Sequence, residues 1–266
     1  MMRARLAAVA LVVLGAAGCA SIPPDAGRNA ADPLEVYNRH VFEFNERLDR
    51  YVVKPVAEGY VKVVPEPVRD CVGNAFRNLG DLGNAVNNLL QGKFFEASSD
   101  LCRFAINSTI GLLGCFDVAT RVGLARSNED FGQTLGRWGI GPGPYFVLPL
   151  LGPSTIRDTF GRVVDAYGDP LSYLDSTRVA LSAQTLRVID TRAGLLQATR
   201  VLEGAALDKY QFVRDAYLQR RRNLIYDGNP PRLDEPDEEA PPGEAPKPNS
   251  PRAGGSADRP APQTAR

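Results

Sequence analysis

Apolar residues recur every three or four positions through most of this chain, so its folded part reads as helical. Leu34, Tyr37, Val41, Phe44, Leu48 and Tyr51 form one stripe, with Glu35, Arg39, Glu43, Glu46 and Arg50 between them. Asp32-Pro33-Leu34-Glu35 reads as the start of that helix: Asp32 as N-cap, proline in the first turn, glutamate three after the cap. The pattern predicts a first helix packed on one side and wet on the other, ended or bent at Lys54-Pro55. Further helices are predicted over 67–90, 94–110, 154–167, 178–203 and 207–226, with a short one starting at Asp117. The helices at 67–90 and 94–110 are expected antiparallel across Gln91-Gly92-Lys93.

Two segments depart from ordinary amphipathic patterning. The helix at 67–90 has an apolar face of Val68, Val72, Phe76, Leu79, Val86 and Leu90, but Asn and Gly fill most of the rest. From residue 70 to 91 only Asp70, Arg77 and Asp81 are charged. A solvated face normally carries more charge, and each interior glycine costs about 1 kcal/mol. Such a helix suits either close contacts in a membrane interface or cavity wall, or burial on all sides. The stretch 131–153, FGQTLGRWGIGPGPYFVLPLLGP, is glycine-rich, holds four prolines and the only tryptophan, and has one charge, Arg137. No regular helix fits from Gly139 onward, so a long apolar loop is predicted. Its amides need partners wherever it is covered. It suits lipid headgroups, a channel lining, or paired irregular backbone within a core. Arg214, Arg220, Arg221 and Arg222 crowd the end of the last helix, where they complement its dipole and could reach lipid phosphates.

The ends carry different information. Arg3 and Arg5 precede an apolar run from Leu6 to Ala17, well short of the ~20 residues that span a bilayer. Small residues then lead to Cys19. This is a signal peptide over 1–18 with a lipobox, predicting lipid attachment at Cys19. Ala20 follows, with no aspartate to argue for inner-membrane retention, so the outer membrane is the expected home. A short linker, 19–31, leads to the folded domain at 32–228. The tail, 229–266, holds ten of the 21 prolines and has Leu233 as its one large aliphatic residue, so it is expected to be disordered.

The chain has equal numbers of basic and acidic residues, 31 each. The core without leader and tail is also neutral, which argues against nucleic acid as a partner. Cys71, Cys102 and Cys115 remain once Cys19 is assigned to lipid. In an oxidising compartment one disulfide and one free thiol is the simplest outcome, with three pairings open and Cys71–Cys115 favoured. Their spacings match no zinc pattern, and no metal site is expected. No catalytic constellation emerges either. His40, on the first helix, is the lone histidine, and there is no G-x-S-x-G, no P-loop, no H-E-x-x-H and no G-x-G-x-x-G. No enzyme activity and no cofactor are expected.

Several segments in order carry a family resemblance: DPLEVYNR at 32–39, FNERLD at 44–49, VPEPVR at 64–69, NNLLQG at 87–92 and RFAINSTIGLLGCFDVA at 103–119. They continue with EDFGQTLGRWGIGPGPYFVLPLLGPSTIRD at 129–158, TRAGLL at 191–196 and AYLQRR at 216–221. The chain resembles the MlaA, or VacJ, lipoproteins over about 32–222, nearly the whole core. The resemblance implies an all-α, ring-like bundle of amphipathic helices in the inner leaflet of the outer membrane, around a central amphipathic pore. It implies removal of phospholipids misplaced in the outer leaflet, beside trimeric porins, and their transfer to a soluble periplasmic lipid carrier. Lipid asymmetry is thereby maintained. The proline-rich tail and the three core cysteines are not features of that resemblance.

On this footing the expected function is a passive phospholipid conduit. Asn and Gly would line a path for the headgroup, and Phe146, Val147, Leu148, Leu150 and Leu151 a surface for the tails. The candidate pore or gate residues are Gly136, Gly139, Gly141, Gly143, Tyr145, Phe146, Leu148, Leu150 and Gly152. Proline at Gly141 or Gly143 is expected to disturb transport more than folding. The alternatives are a structural lipoprotein bracing porins and a lipid hydrolase using His40.

Overall fold

A computed structural model describes residues 26, 27, 29, 31–205 and 208–231. The predicted signal peptide, Cys19 and all but the first three residues of the tail lie outside the described residues. The described chain is mostly helical, with ten α-helices and one β-hairpin. They are α1 (Glu35–Leu48), α2 (Lys54–Val63), α3 (Glu66–Leu90), α4 (Phe94–Thr109), α5 (Val118–Arg121) and α6 (Phe131–Arg137). After β1 (Tyr145–Leu148) and β2 (Gly152–Thr155) come α7 (Ile156–Gly168), α8 (Thr177–Gly194), α9 (Leu196–Ala205) and α10 (Lys209–Ile225).

Several boundaries have local causes. Between α1 and α2 the chain runs through a π-turn, Asp49–Val53. Pro55 offers no N–H and its ring crowds the carbonyl four residues back, so the ladder widens there instead of stopping. Asp117, Asp130, Thr155 and Asp208 cap α5, α6, α7 and α10 by accepting from backbone N–H groups in the first turn. The single helix expected over 178–203 is broken at Leu195, just after Gly194, into α8 and α9. Asp32 does not cap α1. The helix starts at Glu35, and the buried Asp32 carboxylate accepts instead from Asn38 Nδ2 at 2.7 Å, from Arg214 at 3.3 Å and from the Tyr210 hydroxyl.

The loop expected over 131–153 is also different. Its first part is α6, and 145–155 forms an antiparallel hairpin, with Tyr145 opposite Thr155 and Leu148 opposite Gly152. α1 packs on β1, β2 on α7, α7 on α6 and α6 on α3. α3 carries α4 on one side and α8 on another, α8 packs on α2, and α2 returns through the π-turn to α1. The circuit closes, and α10 lies against α6 and β2. The α6–α7 contact is tight enough to require glycine, since a Cβ on Gly161 would meet the Gly132 nitrogen at 2.4 Å. The Cys71 and Cys115 sulfurs are bonded, joining α3 to the turn after α4, while Cys102 is exposed. Among the described residues no helix is long and apolar enough to cross a membrane.

The polarity of this fold runs opposite to that of a water-soluble domain. Arg103, Gln133, Asn38, Asn88, Asn107, Asp81 and Asp100 are among its most deeply buried large side chains. Phe94, Phe95, Ile110, Leu113 and Trp138 are exposed, Leu113 to 82%. The apolar stripe expected to pack α1 is turned outward at Leu34, Tyr37 and Tyr51; only Val41 of that stripe is buried. Polar residues of α1 go inside because partners are there. Arg39 bridges Glu35 at 2.8 Å and Asp208 at 2.9 Å and lies over the Tyr210 ring. The Asn row of α3 is likewise interior. Asn78 donates to Ser108, Asn88 to Asp100 and Ser127, and Asn87 accepts from Thr134. It is packing material between α3, α4 and α6, while Val68, Val86 and Leu89 face out.

Burial pushes the Asp81 carboxyl up to about 6, against the pull of Arg126 and Arg103. An unfolded aspartate titrates near ~3.9, so the folded chain holds this proton more tightly. Stability from Asp81 is therefore full below about 4 and is lost as pH rises through about 6. Asp165 is raised in the same direction, whereas Asp117, Asp130, Asp158 and Asp208 are lowered and act below about 4. The protein should gain stability between pH 7 and pH 4.5, and Asp81→Asn should shrink that gain. Denaturant titrations at the two pH values, run in detergent, measure it.

Candidate functional site

Two side chains of α1 hold the hairpin. The Asn38 amide donates to Tyr145 O at 3.2 Å and accepts from Val147 N–H at 2.8 Å. Seven residues on, the Asn45 amide donates to Leu148 O at 2.9 Å and accepts from Leu150 N–H at 2.8 Å. Seven residues are two helical turns, ~10 Å, which matches three residues of strand. Each amide thus pairs like a neighbouring strand and satisfies backbone that would otherwise be orphaned. Leu150 has φ +67° and is exposed, a conformation that costs an L-residue about 1–2 kcal/mol, and the Asn45 bond helps hold it. Asn45→Ala should cost about 1 kcal/mol and speed hydrogen exchange at 148–152, leaving α3 and α4 protected as before.

Behind the hairpin lies an aromatic and ionic core. Tyr145 stacks edge-on near Tyr210 and packs against Tyr217. Tyr217 donates to Asp158 at 2.7 Å. Burial pushes the pKa of all three phenols up, so they hold their protons more tightly, and the nearby Asp32 and Asp158 charges push the same way. Arg221 joins Asp130 and Asp158, and Arg214 joins Asp32 and Asp215. Two of the four arginines read as dipole or solvent cations of the last helix are therefore internal ion-pair partners. Burial pushes the Asp130 and Asp158 carboxyls up, but Arg221 and hydrogen bonds to the carboxylates outweigh it and leave both low.

The candidate gate residues separate into two groups. Gly136 sits in α6, where a Cβ would meet Ile225 at 2.8 Å and Arg157 at 3.0 Å. Gly139, at φ +89°, ends α6, with Ile140 N–H donating back to Leu135 O. Gly141 is open, while Gly143 has φ +68° beside Ile156. Proline at Gly143 would have to change that φ by more than 100°, so the substitution strains the backbone and does not isolate a gate. Tyr145 is wholly buried in the core, and Phe146 is half-buried. Leu148, Leu150 and Gly152 do line cavities.

The first cavity, of about 660 Å³, is bounded by α1, the π-turn, the hairpin turn, α8, α9 and α10. Phe42, Leu48, Val53, Leu150, Leu151, Val188, Leu195 and Val213 supply apolar wall. Charged pairs stud the same wall: Arg192 with Asp49 at 2.7 Å, Lys209 with Glu46, and Arg187, whose partner is Asp169 at 2.6 Å. A second cavity, of about 570 Å³, meets it at Leu151 and is lined by Leu148, Val163, Ala166, Tyr167 and Tyr173, with Arg162 at its edge. Apolar surface interrupted by neutralised charges suits an amphiphile. Sequence reading missed Asp49, Val188 and Arg192. Val188 and Arg192 lie on α8 and Asp49 in the π-turn about 140 positions upstream, so no local pattern joins them, although FNERLD at 44–49 and TRAGLL at 191–196 each marked one wall. His40 is half-buried on α1 and lines none of these cavities. No cluster able to hold a metal occurs among the described residues.

A solved structure described as the structural basis for maintenance of bacterial outer membrane lipid asymmetry superposes with a TM-score of 0.65 and 37% identity, covering 73% of this chain and 98% of that one. The intermembrane phospholipid transport system lipoprotein MlaA of Escherichia coli K12 is 39% identical over 223 residues, 82% of this chain and 88% of that protein. The Haemophilus influenzae protein of the same name is 34% identical over 201 residues, 74% and 80% of the two chains. The MlaA lipoprotein family model matches residues 30–224, essentially the closed circuit and its cavities, and the chain belongs to that family.

Proposed function

We propose that this protein is a lipoprotein of the outer membrane, anchored through Cys19, that takes phospholipid misplaced in the outer leaflet through its ring and releases it toward the periplasm. The amphipathic cavity inside a ring of inverted polarity carries this reading. Exposed apolar helix faces suit immersion among acyl chains. Interior polar networks satisfy the backbone that such a medium cannot. The cavity then offers the lipid tails an apolar wall and the headgroup a charged one. Relatives named for intermembrane phospholipid transport support the same assignment. The residues in hand suggest a passive conduit, so the driving force comes from elsewhere in the pathway. The partners proposed are a soluble periplasmic lipid carrier, which receives the lipid, and trimeric porins, against which the apolar rim would sit.

Outer-leaflet phospholipid in a deletion strain, read with a surface-restricted lipase, tests the proposal. Accumulation reversed by the wild-type chain is the expected result. No accumulation would leave the structural role, bracing porins, as the better reading.

A further inference from the structure

We infer that a third cavity, between α3 and α8, is a headgroup subsite for a zwitterionic, ethanolamine-type phosphodiester. The inference rests on the conduit reading and adds the lipid class. The cavity measures about 470 Å³, and Arg69, Asp70, Arg77 and Asp190 stand around it. Arg69 donates to Val64 O at 3.1 Å and Arg77 to Asn74 Oδ1 at 2.6 Å. Both acceptors are neutral, and among the described residues neither guanidinium has a carboxylate within ion-pair distance. The paired Arg187 and Arg192 next to them contrast with this. These two guanidiniums, half-buried at Arg69 and exposed at Arg77, stand about two helical turns apart along α3 on one wall, where each can donate to a phosphodiester.

The carboxylates supply the other half. Asp190 accepts from Tyr60 OH through Oδ1 at 3.1 Å, and its Oδ2 borders the space above Gly73. A Cβ on Gly73 would come within 3.0 Å of that oxygen and 3.6 Å of Arg77, so the missing side chain keeps open the gap between the cation and the anion. Asp70 adds a second, exposed carboxylate. With Arg187 neutralised by Asp169, the other two cations and the two anions leave the wall neutral. It matches a phosphate beside an ammonium, and it mismatches a phosphate beside neutral glycerol. Arg187, Thr191 and Leu195, spaced four apart on α8 and at its end, line both this cavity and the 660 Å³ one. The two cavities thus share a wall, and we assign the headgroup to this one and the tails to the larger.

The test uses the purified full chain in detergent with short-chain dihexanoyl phosphatidylethanolamine, dihexanoyl phosphatidylglycerol, glycerophosphoethanolamine and inorganic phosphate, read by calorimetry. The ethanolamine lipid should bind about tenfold tighter than the glycerol lipid, and inorganic phosphate far more weakly than either. Arg69→Gln with Arg77→Gln should weaken both lipids several-fold, and lysine at both positions should restore part of it. Asp70→Asn with Asp190→Asn should weaken only the ethanolamine lipid and abolish the preference. Unchanged thermal unfolding shows that each variant is folded; for a misfolded pair, Asp70→Asn alone is used, since its side chain is exposed. Equal binding of the two lipids, unchanged binding by the arginine variants, or phosphate binding as tightly as the lipid would each overturn the inference. If the wild-type chain clears the outer leaflet in the deletion strain yet shows no headgroup preference, the subsite fails and the conduit stands. If the deletion accumulates no lipid, the conduit itself fails.

Discussion

Arg103→Met lowers the unfolding free energy by about 3–5 kcal/mol, the loss expected when one member of a buried ion pair is removed. Arg103 on α4 has no exposed side-chain surface. Its guanidinium donates to both Asp117 oxygens at 3.0 and 3.1 Å, to Thr120 at 3.1 Å and to Leu124 O, and it faces Asp81 at 3.5 Å. One side chain of α4 thus holds the cap of α5, the turn that follows α5 and the middle of α3. Methionine fills most of the volume but leaves Asp81 with only Arg126 opposite, and Leu124 O without its donor. Denaturant unfolding in detergent measures the loss. A change below 1 kcal/mol would show that water reaches this network and screens it. Asp117→Asn, which keeps the shape and one of the two acceptor oxygens, should cost less because Asp117 is partly exposed.

The helices were legible because periodicity survives any solvent. The inside was not, because periodicity says which residues share a face and nothing about which face meets the protein. The stripe from Leu34 to Tyr51 reads as core under the assumption of water outside. In this fold its outer positions are exposed, and Glu35, Asn38 and Arg39 are buried. The charge-poor Asn and Gly row of α3 carried a hint of this reversal, and burial is where that row went. Asp32 fits a local cap pattern, but its partners are Tyr210 and Arg214, about 180 positions away, which no local pattern displays. The hairpin was hidden for a similar reason. Its order depends on two amides about 100 residues upstream. The Gly and Pro content of 131–153 correctly ruled out a regular helix from Gly139 onward. It did not show that the backbone would find strand-like partners. Of the nine gate candidates, the three that line cavities, Leu148, Leu150 and Gly152, lie around the hairpin turn. Gly136, Gly139, Gly143 and Tyr145 serve packing, a helix end, a turn and the core, while Gly141 is open and Phe146 half-buried.

Val188→Asp should abolish most outer-leaflet clearance while leaving the protein folded and membrane-bound. Val188 lies on α8, lines the 660 Å³ cavity and is 57% exposed within it, so a carboxylate there disturbs no packed core. The nearest cations on α8 are already engaged, Arg187 by Asp169 and Arg192 by Asp49, and neither is free to neutralise it fully. A passing acyl chain would have to desolvate that charge. Each methylene in apolar surroundings contributes about 0.8 kcal/mol, whereas an ion taken from water costs several kcal/mol even after relaxation. A net penalty of only about 1.4 kcal/mol along this wall slows passage about tenfold. The carboxylate also repels the phosphodiester, so the two effects add. Surface-lipase assays should therefore place Val188→Asp close to the deletion strain and Val188→Leu close to wild type, with equal amounts of protein in the membrane fraction. Full clearance by a folded, retained Val188→Asp protein would mean that lipid does not travel along this wall. The second cavity, past Leu151 and Tyr167, would then be the path to probe, because it is a further apolar opening bordered by the hairpin turn.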